Sequence, residues 1–219
     1  MSLLIILIGV LTVRFWGYTQ DDVFITYSYS RNIVIGQGFV FNPGEHVQGT
    51  TTPLYTLVVS VLYLISPDDL LHAGNLLSAI FLVIACLMLL HLLNGVTTWT
   101  SWLVSAFTFA ASPLIYVSFG METLLTCMLL ASAWTAWRHN RKTLAMLFAA
   151  ALTWTRADGV VLGGALWIVA AWDVMQSEQP AGFVQKLRKM PWKHGAIYIA
   201  GILPWFVFAW WYFGTPLPN

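Results

Sequence analysis

Apolar residues run along this chain in long unbroken stretches, with polar residues confined to short breaks between them. The stretches cover 1–17, 53–65, 71–93, 101–119, 123–137, 143–155, 159–172 and 195–213. They are too long for strands and lack period-two alternation, so each is expected to be helical. A helix needs about 20 apolar residues to cross a bilayer. Runs 71–93, 101–119 and 195–213 meet that length alone. Runs 143–155 and 159–172, split by Arg156-Ala157-Asp158-Gly159, read as two short tilted helices or one broken one. The expected fold is all-α: a polytopic membrane protein with about seven to eight membrane helices, in a single module spanning 1–219. The polar stretch 18–52 is a structured first external loop carrying an interfacial helix.

Within that loop, Asp21 or Asp22 can cap a helix running to about Ile35 and ending at Gly36 or Gly38. Phe24, Tyr27, Tyr29 and Arg31 suit a helix in the headgroup zone. Phe39-Val40-Phe41 is a short extended piece. Asn42-Pro43-Gly44-Glu45 has the type II turn pattern, with Pro second and Gly third. Glu45 and His46 read as turn-face residues. A loop this long and this patterned exceeds what a connector needs.

Composition agrees with the membrane reading: 58% of residues are hydrophobic, 15% aromatic and only 9% charged. So little charge excludes an ordinary soluble domain, and a net charge of +1 offers no basic surface for nucleic acid. Cys86 and Cys127 lie inside apolar runs and read as small buried hydrophobes. His91, also within a run, reads as a helix-packing histidine.

The charges are segregated. Arg138, Arg141 and Lys142 fill one loop, and Lys186, Arg188, Lys189 and Lys193 another, which places both in the cytoplasm. Run 53–65 decides the rest. If its 13 residues cross fully, loop 18–52 is cytoplasmic; if they do not, every polar motif falls outside. The second arrangement is favoured. It puts three bases against seven acids outside (net −4), and seven bases against Asp173 and Glu178 inside (net +5).

Asp21-Asp22 is the leading chemical candidate. Adjacent carboxylates at a membrane edge repel, so a cation, a proton or a substrate is expected between or beside them. Capping is the competing reading, although a cap needs one acid rather than two. Asp68-Asp69, after Ser66-Pro67 and before an apolar helix, reads as a structural N-cap. Glu122 opens an apolar helix, where the helix dipole favours an acid; it is equally a candidate site carboxylate. Arg156 and Asp158 read either as a pair that neutralises itself near the membrane or as a phosphate-binding and site pair.

Several motifs occur in order. They are Asp21-Asp22; Tyr29-Ser30-Arg31-Asn32 with Gly36-Gln37-Gly38, Phe41-Asn42-Pro43-Gly44-Glu45 and Gly49-Thr50-Thr51-Thr52-Pro53-Leu54-Tyr55; Gly120-Met121-Glu122-Thr123; and Thr155-Arg156-Ala157-Asp158-Gly159. Together they resemble the N-terminal half of the GT-C membrane glycosyltransferases, nearest to the bacterial branch that includes the mycobacterial terminal arabinofuranosyltransferase. The resemblance implies transfer of a sugar from a polyprenyl-phosphate donor to a glycan or lipid acceptor hydroxyl, at the extracytoplasmic face of the cell membrane. It implies Asp21 or Asp22 as the general base, with Asp21 preferred and Asp22 as metal or orienting partner. A divalent cation (Mg, Mn or Ca) would be held by Asp22 and Glu122. Arg31, Glu122, Arg156 and Asp158 would bind substrate. The C-terminal part of the family is expected to be absent or supplied by a partner chain, which leaves a non-catalytic or split-enzyme fragment as an alternative. A membrane lipid or sugar transporter is the other.

Overall fold

The computed structural model describes residues 2–93, 98–176 and 183–218. Among them there is no strand. The helices are α1 (Ser2–Arg14), α2 (Val23–Val34), α3 (Pro53–Ile65), α4 (Leu70–Leu93), α5 (Trp99–Ala111), α6 (Pro113–Val117), α7 (Thr123–Arg138), α8 (Lys142–Thr155), α9 (Val160–Gln176), α10 (Phe183–Arg188) and α11 (Trp192–Phe213). A single 3-10 turn, Ala157–Gly159, separates α8 from α9. The all-helical fold class therefore stands.

Three described helices are long and apolar enough to span a bilayer: Leu70–Leu92, Ala157–Gln176 and Trp192–Phe213. That is fewer than the seven to eight expected. Run 101–119 is one cause. It breaks at Ser112-Pro113, because proline has no N–H to continue the ladder and drives the preceding residue out of the helical region. Ser112 accordingly sits at φ −66°, ψ 122°. The apolar helix α3 spans 13 residues, a rise of about 20 Å, short of a hydrocarbon core of about 30 Å.

The helices pack in series. α7 lies between α4 and α8, α8 lies between α7 and α11, and α2 lies on α3, which in turn touches α8. The main core joins Leu4 and Ile8 of α1, Tyr55 and Val59 of α3, Leu82 and Cys86 of α4, and Leu124 of α7. Ala145, Met146 and Ala149 of α8 are fully buried against Leu166 and Tyr198; small side chains there let the helix backbones approach closely. A third, aromatic cluster ties the first loop to α11: Phe39 meets Tyr29, Trp205 and Phe213 with ring centroids 5.4–5.9 Å apart.

The first loop follows its sequence closely. α2 stops at Val34, and Gly36 takes a left-handed φ of 82°. The Glu45 amide donates to the Asn42 carbonyl at 3.1 Å with Gly44 at φ 88°, which is the type II turn. Asn32 Nδ2 donates to the carbonyls of Val40 and Phe41, fastening residues 40–41 to the helix. α2 buries Val23, Thr26, Tyr27, Tyr29 and Ser30 and exposes Phe24 and Ile25. Its other boundary differs from expectation: Asp22 occupies the N-cap position but makes no side-chain cap. Asp69, beside its partner acid Asp68, instead takes His72 Nδ1 at 2.6 Å, and His72 stacks on Trp16.

Candidate active site

Four chain segments meet in one cleft of about 350 Å³. The start of α2 contributes Asp22 and Val23. The segment entering α3 contributes Gly49 to Thr52. The start of α7 contributes Met121 and Glu122, and the junction after α8 contributes Arg156. Three α-helices thus begin at this cleft, and their N-termini add partial positive charge to it.

Gly120 sets the position of Glu122. It holds a left-handed φ of 81°, which an L side chain adopts only with strain. Its N–H donates to Ser78 Oγ of α4 at 3.0 Å, and its carbonyl accepts from Tyr55 Oη of α3 at 2.7 Å. A Cβ added at Gly120 would lie 3.2 Å from Val23 Cγ1 and Tyr27 Oη of α2. One backbone position therefore registers α2, α3 and α4 against the first turn of α7.

The opposite wall is fixed by Tyr29. Its hydroxyl donates to the Val47 carbonyl at 2.7 Å and accepts from the Gly49 N–H at 2.8 Å. Thr52 ends the wall at the N-cap of α3, with Thr50 Oγ1 within 3.2 Å of Thr52 Oγ1. Exposed Thr51 adds a further hydroxyl to the lining.

Glu122 is 8% exposed, a costly place for a carboxylate without a partner. Arg156 supplies one, donating from Nη1 to Glu122 Oε1 at 3.1 Å and from Nε to Asp158 Oδ1 at 3.3 Å. Partial burial alone would lower the Arg156 pKa, but the bonds and charges of Asp158 and Glu122 outweigh it and hold the guanidinium above its ordinary value. The turn after Arg156 depends on Gly159, where a Cβ would fall 2.7 Å from the α8 backbone at Leu152 and Thr153.

Of the residues singled out in the sequence, Asp22, Glu122 and Arg156 line the cleft. Asp21 is exposed and lies outside its lining. Asp158 is likewise outside and reaches the site only through Arg156. Arg31 is exposed in the last turn of α2, about 13 Å along the helix from Asp22, and does not join them. Thr50, Thr51, Thr52 and Met121 join the site without having been assigned a role. Their signal was their place in the ordered motifs.

Among the described residues no group of three or more His, Cys, Asp or Glu is arranged to hold a metal ion. Asp22 and Glu122 are the two carboxylates of the cleft. Two carboxylates fit an ion of the magnesium type, which takes its remaining ligands from water and phosphate. No family model matches the chain, and neither a curated protein nor a solved structure matches it significantly.

Proposed function

We propose that this cleft transfers a sugar from a polyprenyl-phosphate donor to an acceptor hydroxyl, as the resemblance to GT-C glycosyltransferases implies. The observation that carries the proposal is the meeting of Asp22, Glu122 and Arg156 in one cleft from three separate parts of the chain. Asp22 is the residue of the pair that faces the space, so it takes the role of general base, in place of Asp21. It accepts the proton of the acceptor hydroxyl as that oxygen bonds to the anomeric carbon. The bond from that carbon to the phosphate oxygen breaks, and polyprenyl phosphate leaves. A base must lie within hydrogen-bond reach of the proton it takes, which is why placement ranks the two aspartates.

The departing phosphate needs positive charge near it. Arg156 supplies a permanent one, and the helix N-termini add to it. Glu122 and Asp158 hold the guanidinium in position. A divalent cation on Asp22 and Glu122 would supply further charge to the phosphate. The cleft sits on the extracytoplasmic face of a multi-pass protein in this reading. In this reading α3, at 13 residues, does not complete a crossing. The acidic outer set and the basic inner set then agree with the positive-inside pattern.

The test is transfer from polyprenyl-phosphate sugars in membranes carrying wild type, Asp21→Asn or Asp22→Asn. Loss in Asp22→Asn with near-normal transfer in Asp21→Asn is expected. Unchanged transfer in Asp22→Asn would overturn the assignment. Donor binding without transfer in wild type would favour a split enzyme, and movement of unmodified substrate would favour a transporter.

A further inference from the structure

A second recess lies where α4 and α7 end and α8 begins, and it has a different chemistry. It encloses about 480 Å³. Its polar rim is His91, His139 and Arg141, and its apolar wall is Met88, Leu144 and Phe148. The expectation of a packed His91 is not met: the side chain is exposed and part of this rim.

Arg141 is placed there by a helix-ending turn. Asn140 adopts a left-handed φ of 57°. The Arg141 N–H donates to the Ala136 carbonyl at 2.8 Å and the Asn140 N–H to the Trp137 carbonyl at 3.0 Å, the Schellman pattern. The turn folds Arg141 back over the end of α7. Arg141 and Leu144 also form the edge of a neighbouring recess lined by Lys142 and His194. Thr135 Oγ1 donates to the Met88 carbonyl at 3.1 Å, joining α7 to α4 beneath the rim. No acidic side chain lines either recess, and among the described residues none forms an ion pair with Arg141.

We propose that this recess binds an anionic phospholipid, its phosphate held by Arg141, His139 and His91 and one acyl chain lying along Met88, Leu144 and Phe148. A guanidinium and two ring N–H donors match a phosphate diester. Lys142, in the lining of the neighbouring recess, raises the potential that draws an anion. The apolar wall adjoining the cationic rim separates a lipid from a soluble phosphate, because basic recesses between membrane helices present both parts of an amphipathic ligand with a partner. The assignment does not depend on the transferase reading, since it shares no residue with the first cleft.

The full chain in maltoside detergent tests it through thermal unfolding. The ligands are dioctanoyl phosphatidylglycerol, dioctanoyl phosphatidylcholine and inorganic phosphate. The anionic lipid alone is expected to raise the unfolding temperature. Arg141→Gln is expected to weaken its apparent affinity about tenfold, and Arg141→Lys to weaken it less, because lysine keeps the charge but loses the planar fork of donors. Equal stabilisation by phosphatidylcholine would overturn the proposal, as would unchanged affinity in Arg141→Gln. Stabilisation by inorganic phosphate equal to that by the lipid would assign the recess to a soluble anion instead. If Arg141→Gln does not fold, the exposed pair His91→Gln and His139→Gln carries the same test, with the same loss expected and unchanged affinity as the overturning result.

Discussion

Replacing Arg156 by Gln tests how the candidate site holds its charge. Arg156 donates to a Glu122 that is 8% exposed, so its loss leaves a buried carboxylate without its cation. At an effective dielectric of about 20, charges separated by the observed 3.1 Å attract by about 5 kcal/mol. The Arg156 side chain is 47% exposed, and water screens much of that attraction. The net coupling expected is about 1–2 kcal/mol. Arg156→Gln should then lower the unfolding temperature by about 2–8 °C for a chain of this size. Glu122→Gln alone should cost less, because the amide oxygen still accepts from the guanidinium and no charge is left buried. The double variant should be more stable than Arg156→Gln, since it no longer buries an unpaired charge. The assay is a double-mutant cycle on the detergent-solubilised chain by thermal unfolding. Additive effects to within about 0.5 kcal/mol would refute the argument that Arg156 and Glu122 are energetically coupled in the cleft wall.

Three further outcomes follow from the geometry. Gly120→Ala should destabilise by about 2 kcal/mol, from the left-handed φ and the contacts with Val23 and Tyr27; thermal unfolding and donor transfer should fall together, since Gly120 positions Glu122. Tyr29→Phe should cost about 1–2 kcal/mol by leaving the Val47 carbonyl and Gly49 N–H without their shared partner; faster proteolysis within 42–52 would report it. Asn140→Ala should cost about 1 kcal/mol, while Asn140→Gly should be neutral to within about 0.5 kcal/mol. Equal unfolding temperatures for those two variants would contradict the left-handed turn.

Much of the fold was legible because its causes are local. Long apolar runs satisfy their backbone hydrogen bonds only as helices when water is excluded, and they appear as helices at nearly the expected limits. The stop of α2 before Gly36, the turn at Asn42–Glu45 and the separation of α8 from α9 at Arg156–Gly159 all rest on residues within seven positions of each other. The break at Pro113 was equally local, yet counting apolar length alone passed over it.

The site belongs to the other class. Which of two adjacent aspartates faces the cleft depends on the rotation of α2, about 100° per residue, and that rotation is set by burying Val23, Thr26, Tyr27 and Ser30. Glu122 and Arg156 are 34 positions apart and meet because α7 and α8 pack as neighbours. His91 sits in an apolar run yet faces outward, because a run states that a helix forms but not which side another helix covers. The sequence by itself determined the helices, the turns and the stock of charged groups, each a matter of nearby residues. Only the tertiary structure decided which of those groups share a cavity, since burial and charge pairing are relations between segments distant in the chain.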